Sequence, residues 1–156
     1  MAMGSGSPID QDAILSAVNV FQKRLADCVQ KVRYKNSRDG PYEESPITPR
    51  EARVTISPGI HQKGGYFDIQ WWQNGDYKYH YREQGLEFRF GREADNAISG
   101  HPVRHFHPPS DPSKHLSSCI ESGHPPERVT LAVIACWFAA AEAGDPSLLN
   151  SQNNPP

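Results

Sequence analysis

Cysteine is scarce in this chain, and its spacing excludes two common kinds of small domain. The 156 residues include three cysteines, Cys28, Cys119 and Cys136, and no two of them form a CxxC pair. An odd number of widely spaced cysteines indicates neither a zinc ribbon nor a disulfide scaffold. Reduced thiols suit the cytoplasm, which is the location that we expect.

The chain also lacks a large net charge and a long apolar run. Its formal net charge of -2 excludes a strongly basic nucleic-acid binder of the histone kind, although a local basic face stays open. The longest apolar stretch, residues 129–141, is too short to span a membrane, and we recognise no signal peptide. We therefore expect no membrane partner.

Glycine and proline are plentiful, with 12 and 14 residues, which indicates much irregular backbone. A chain of this length is most simply one domain. We assign residues 1–8 to a tag or flexible lead, residues 9–146 to a single α+β domain, and residues 147–156 to a disordered tail.

Apolar spacing predicts one helix near each end of the domain. From residue 11 to about residue 32, apolar side chains recur at steps of three and four, and Asp10 precedes them as a plausible N-cap. The second helix, strongly apolar, follows the prolines at 125 and 126 and ends at Gly144. Its Trp137 fits either the core or an interface, and a homodimer through this helix is one expectation.

Between the helices the pattern is that of strands, at residues 52–57, 66–73, 77–82 and 87–92. The pairs Asn74-Gly75 and Gln84-Gly85 predict hairpin turns between successive strands. The expected fold is therefore a two-layer α+β sandwich. It has an N-terminal helix, an antiparallel meander of three to four strands, a His/Pro-rich loop, and a C-terminal apolar helix packed on the sheet.

That loop carries the strongest chemical signal. Within 24 residues it holds five histidines: His101, His105, His107, His115 and His124. Histidine exchanges protons near neutral pH, and loops that join regular elements often carry function.

Alternation along two of the strands predicts a charged sheet face beside this loop. Lys78, His80 and Arg82 share one side of the first strand, and Arg89 lies on the matching side of the next. Charged sheet faces are routine in solution, but the density of histidine and arginine in the adjoining loop favours a functional site. Metal-independent RNA cleavage needs this combination of a base, an acid and cations that hold the phosphorane charge.

We therefore expect an endoribonuclease that needs neither a metal nor another cofactor. Its catalytic residues would be His80, His105 and His107 as acid and base, with Arg82 and Arg104 as phosphate clamps. Its substrate-binding residues would be Lys78, Tyr79, Tyr81 and Arg89, with the tyrosines stacking on bases or donating a hydrogen bond.

Other readings of the same residues stay open. A non-enzymatic nucleic-acid or protein-binding module would use the charged face for recognition, so the sequence leaves open whether the chain is an enzyme. A metal-dependent hydrolase would use the HxH pair, with Asp111, His115 or Glu121 completing a Zn²⁺ or Mn²⁺ shell. Cys119, near His115, fits a Cys/His nucleophile less well because no glycine-framed motif surrounds it.

The central third of the chain carries a family resemblance. Here an aromatic-basic hairpin, YKYHYREQGLEFRFGR, precedes the histidine-rich HPVRHFHPPSDPSKH. This combination resembles the TumE-like toxin family of prokaryotic toxin–antitoxin modules, whose members carry a YxYHY-like strand, a short RFD-type strand and a histidine-rich loop. The matching positions are Tyr79, His80, Tyr81, Arg82, His105 and His107. The resemblance implies a small cytoplasmic toxin that acts on RNA and pairs with a helix-turn-helix antitoxin protein.

Overall fold

The computed structural model describes residues 6–120 and 124–151. Helix α1 (Gln11–Arg24) comes first and helix α2 (Pro126–Ala143) follows the last strand. Short 3-10 turns lie at Ala94–Ala97 and Pro146–Leu148. The strands are β1 (Val29–Lys35), β2 (Tyr42–Glu43), β3 (Glu51–Ile56), β4 (Gly65–Trp71), β5 (Tyr77–Glu83), β6 (Leu86–Arg92), β7 (Arg104–His107) and β8 (Leu116–Ser117).

Helix α1 is shorter than its apolar spacing predicts. Asp10 caps it as expected, and its carboxylate accepts a hydrogen bond from the Ala13 amide at 3.0 Å. The helix then ends at Arg24, so the prediction that it continues to residue 32 is wrong. Residues 29–35 form β1 instead, because pairing with β3 satisfies their backbone groups and the β-branched Val29 and Val32 suit a strand.

The described strands form one antiparallel sheet in the order β2-β1-β3-β4-β5-β6-β7-β8. The four strands expected from the sequence are confirmed as β3 to β6, but β1, β2, β7 and β8 were missed. Strand β7 arises inside the histidine-rich segment because its prolines, Pro102 and Pro108, flank the four residues 104–107 rather than interrupt them. The histidines at 105 and 107 therefore lie on a paired strand.

Both helices cover the same face of the sheet, which confirms the two-layer α+β architecture. Phe21 of α1 packs on Phe67 of β4 at a centroid distance of 5.1 Å, and Trp137 of α2 lies 6.3 Å from Tyr81 of β5. Trp137 is 2% exposed and belongs to the core. In the described part of the chain, neither helix has the length and apolar character needed to cross a membrane.

Both ends of the described chain pack against the domain. The Pro8 carbonyl accepts a hydrogen bond from Gln73, and Ser7 accepts one from the Asn74 amide. At the other end Leu149 is fully buried and the Asn150 side chain bonds the backbone of 117 and 119. Residues 7, 8, 149 and 150, expected from the sequence to belong to the lead and the tail, thus contact the rest of the domain. Residues 1–5 and 152–156 lie outside the described residues.

Candidate active site

Three neighbouring strands present a row of ionisable side chains on the sheet face away from the helices. His80 of β5 is the cross-strand partner of Arg89 of β6, and Arg89 is the partner of His107 of β7. Adjacent strands lie about 4.8 Å apart, so the backbones of the two histidines are about 10 Å apart with the arginine between them. We call these three residues the central row.

His80 is oriented by a carboxylate. Its Nε2 lies 2.8 Å from Oε2 of Glu87, which also accepts a 3.4 Å hydrogen bond from Arg82. Because a carboxylate only accepts, Nε2 carries the hydrogen in the neutral ring and the lone pair is on Nδ1. Burial lowers the pKa of His80, although the hydrogen bond to Glu87 opposes this. At neutral pH the ring is therefore a candidate base.

His107 has the opposite tautomer. Its Nδ1 donates to the Pro112 carbonyl at 2.9 Å, which leaves Nε2 to accept a 2.9 Å hydrogen bond from Nη2 of Arg89. The ring is 3% exposed, and burial followed by the Arg89 charge lowers its pKa to about 4. The imidazole thus holds the guanidinium in the middle of the central row.

His105 is enclosed more completely. It is 2% exposed, its Nδ1 faces the Val103 carbonyl at 3.2 Å, and burial lowers its pKa to about 4. Its Nε2 lies over Gly91 of β6, where an added Cβ would come within 2.7 Å of that nitrogen. Gly91 is therefore required by the close approach of the ring, and His105 packs against the backbone of β6.

Two further histidines cover this pair. The His115 ring stacks on His101 at 4.3 Å and meets His107 edge-on at 4.5 Å. Within residues 6–120 and 124–151, no three His, Cys, Asp or Glu side chains are placed to share a metal ion. Asp111 instead accepts hydrogen bonds from Ser113, and Glu121 lies outside the described residues. The guanidinium on His107 Nε2 further disfavours a cation at that nitrogen.

A cleft lies beside the central row. It has a volume of about 440 Å³ and runs between the β5–β6 hairpin, at Arg82 and Glu87, and the loop that contains Pro109 and Pro112. Glu87 orients His80 and the Pro112 carbonyl orients His107, so the walls of the cleft are also the supports of both rings.

A comparison with protein-family models covers most of the chain. The family model described as Toxin TumE matches residues 25–135, which is more than two thirds of the chain. The chain belongs to the TumE toxin family. The resemblance read from the sequence is therefore confirmed, and it extends well beyond the central third. No curated protein and no solved structure matches the chain.

Membership in the TumE family supports the coarser part of the expected function. The chain is a toxin of a toxin–antitoxin module, and an antitoxin protein is its implied partner. The matched region contains all of β1 to β8 and therefore the whole central row.

The structure separates Arg104 from the site of this TumE-family chain. Strand alternation turns His105 and His107 toward the polar face and Arg104 toward the helices. There Arg104 is the cross-strand neighbour of Arg92 and lines a different cavity. The prediction that Arg104 clamps phosphate beside the two histidines is therefore wrong. Lys78, Arg82 and Arg89 do share the polar face, and burial lowers the pKa of Lys78.

The expected stacking tyrosines lie in the core. Tyr79 and Tyr81 are fully buried on the helix side, where the Tyr79 hydroxyl accepts a 2.9 Å hydrogen bond from Trp71 Nε1 and the Tyr81 hydroxyl donates to Glu83 at 2.7 Å. Their assignment as base-stacking groups is wrong for the physical reason that no face of either ring is open. Because successive side chains of a strand point to opposite faces, Tyr79 and Tyr81 lie on the face opposite to His80.

Two residues near the site, Asn96 and Tyr66, were not expected from the sequence. Asn96, from the 3-10 turn, is buried and contacts His105 Nδ1 and the Pro102 carbonyl at 3.1 Å each. Tyr66 of β4 is half-buried on the polar face and stacks on the guanidinium of Arg53, which also pairs with Asp68 at 2.8 Å. The signal for Tyr66 was available, because it has the opposite parity to Phe67 along its strand.

Cys119 contacts a second cysteine. Its sulfur lies 3.6 Å from that of Cys136 on α2, and the hydrogen bond between the thiols lowers the pKa of Cys119. Its amide donates to Asn150 at 2.7 Å. The residue thus joins the end of β8 to the second helix and to the C-terminal segment.

Proposed function

We propose that this toxin is a metal-independent endoribonuclease whose reaction centre is the central row. The observation that supports the proposal best is the adjacency of His80, Arg89 and His107 on three paired strands. Two imidazoles on either side of a fixed cation suit a phosphodiester that sits on the guanidinium.

Each member of the row has a distinct task. His80, oriented by Glu87, removes the proton from the ribose 2′-hydroxyl through Nδ1. The 2′-oxygen then forms a bond to phosphorus and the bond to the 5′-oxygen breaks, while Arg89 holds the charge of the phosphorane. The phosphate replaces His107 as the partner of Arg89, which frees Nε2 of His107. That nitrogen takes up a proton from solvent and donates it to the departing 5′-oxygen. A bound phosphate favours the imidazolium, because a nearby anion raises the pKa of a histidine.

The cleft beside the row is the proposed RNA path. Arg82 supplies positive charge in the cleft, and Lys78 supplies it on the other side of His80 along β5. Tyr66, the β4 neighbour of Arg82, takes over the base-stacking task expected of Tyr79 and Tyr81. The cytoplasm remains the proposed location. An α2-mediated homodimer would have to use the outer face of the helix, where Phe138 is 51% exposed.

A binding module without catalysis is the second candidate. The observation that favours it is the depth of His105 and His107, 2% and 3% exposed, which fits structural rings as well as reacting ones. In that case Arg82 and Lys78 would bind a partner and the imidazoles would only support the sheet.

The test compares RNA cleavage and RNA binding in the same variants. Purified protein is incubated with mixed single-stranded RNA, with and without EDTA, beside His80→Gln, His107→Gln and the matched control His61→Gln, which alters an exposed loop histidine. We expect cleavage that survives EDTA, falls by at least about a hundredfold in the first two variants, and is unchanged in the control.

RNA affinity should stay within about threefold in all four proteins, because glutamine keeps much of the hydrogen bonding. Cleavage abolished by EDTA would contradict the metal-independent mechanism. Absence of cleavage in every lane, with affinity lost in Arg82→Glu, would establish the binding module instead.

A further inference from the structure

A second cavity lies on the helix side of the sheet, away from the central row. Its volume is about 360 Å³, which is within the range of small-molecule sites. Its floor is a line of cross-strand neighbours, Trp71, Tyr77, Arg92 and Arg104. Its walls include Trp72 and His124, Asp10 at the start of α1, and Pro126 and Val129 at the start of α2.

A tyrosine from β5 lines this cavity. Tyr77 is 3% exposed as a residue and lies between Trp71 and Arg92 in the cross-strand line. Burial raises the pKa of this phenol, while the charges of Arg104 and Arg92 oppose the rise, so both guanidiniums lie close to it. The phenol can therefore donate a hydrogen bond to a ligand that the two arginines attract.

The two arginines differ in what holds them. Arg92 is fixed by the fully buried Asp76, whose Oδ1 lies 2.7 Å from its Nη1. Arg104 forms no ion pair with any carboxylate of residues 6–120 and 124–151. The Asp10 carboxylate accepts the capping hydrogen bond of α1 through Oδ1. Among the described residues, the cavity therefore offers an anion one cation fixed by Asp76, one cation outside any ion pair, and one hydroxyl donor.

The rest of the lining is aromatic. Trp71 and Tyr77 are in contact with a centroid distance of 4.8 Å, and Trp72 lies beside them on the turn to β5. Planar rings next to arginine donors match a ligand that joins an aromatic ring to a phosphate.

We propose that this cavity binds a nucleoside monophosphate group, with the phosphate on Arg104 and Tyr77 and the base against the indoles. The group is either a free nucleotide or the 5′-terminal nucleotide of an RNA. Because the site lies on the opposite face of the sheet from His80 and His107, it is independent of the proposed cleavage.

Tryptophan fluorescence and calorimetry test the proposal on the purified full chain. AMP and UMP are titrated beside inorganic phosphate and adenosine. We expect the nucleotides to bind with a Kd on the order of 10–1,000 µM, and phosphate or adenosine alone at least about tenfold more weakly.

Variants assign the contacts. Arg104→Gln should weaken AMP binding by at least about tenfold and Tyr77→Phe by about threefold to tenfold. The matched control Arg24→Gln, at an exposed position in the last turn of α1, should leave it unchanged, and circular dichroism checks that every variant is folded. Trp72→Phe should remove most of the fluorescence change.

Oligoribonucleotides with a 5′-phosphate or a 5′-hydroxyl separate the two sources of the group. Tighter binding of the phosphorylated oligomer than of AMP assigns the site to RNA ends, and the reverse order assigns it to free nucleotides. The proposal is overturned by nucleotide binding that Arg104→Gln leaves intact, by phosphate binding as tightly as AMP, or by no AMP binding at 10 mM, about ten times the weakest expected Kd.

Discussion

The buried histidines of β7 predict a specific loss of stability in mild acid. His105 and His107 each have a pKa of about 4 in the folded chain, below the ordinary value of 6.5, mainly because burial disfavours the imidazolium. Between pH 6.5 and pH 4 the unfolded chain binds protons that the native chain does not. The free energy of unfolding therefore falls as the pH drops through this window, and the full stabilisation is present only above pH 6.5.

The two pKa values set the size of the effect. At pH 5, a ring with a pKa of 4 in the native state and 6.5 in the unfolded state costs about 2 kcal/mol of stability. The two rings are in edge contact at 4.9 Å, so their protonation is coupled and simple addition overstates the total. We expect the pair to account for about 2–4 kcal/mol between pH 7.5 and pH 5.

Urea unfolding at the two pH values measures this directly. In a His105→Asn/His107→Asn variant, the difference in unfolding free energy between pH 7.5 and pH 5 should shrink by that amount. Phe106→Leu is the matched control, because it lies between the two rings on the opposite face of β7 and carries no ionisable group. It should lower stability equally at both pH values. An unchanged pH dependence in the histidine variant would refute the assigned burial of the rings.

Two further substitutions probe the support of the site. Gly91→Ala places a Cβ within 2.7 Å of His105 Nε2 and 3.3 Å of the Tyr77 carbonyl. It should destabilise the fold by about 1–3 kcal/mol in thermal or urea unfolding, and His105→Ala in the same chain should recover most of the loss. Tyr79→Phe removes a hydroxyl bonded to Trp71 and Thr130, so unfolding should become easier by about 1–3 kcal/mol. RNA cleavage by the Tyr79→Phe variant should stay within about twofold of that by the unsubstituted chain. A selective loss of cleavage would show that Tyr79 belongs to the active site.

The sequence by itself determined which side chains share a face of each strand. The alternation of tyrosine with Lys78, His80 and Arg82 follows from the two-residue period of an extended backbone, which is a local property. The same local rules located the Asp10 cap and the end of α2 at Gly144, whose φ of 63° suits glycine. The motif around residues 77–107 also sufficed to indicate the TumE family.

Only the tertiary structure decided which strands are neighbours. Nothing in local periodicity shows that residues 104–107 pair with β6, which places His107 on Arg89 and turns Arg104 to the far side of the sheet. The same holds for residues 29–35, whose apolar spacing also fits a helix until β3 supplies its hydrogen bonds. The physical reason is that pairing and register depend on backbone groups distant in the chain. Local patterns specify faces, and long-range hydrogen bonds specify which faces meet.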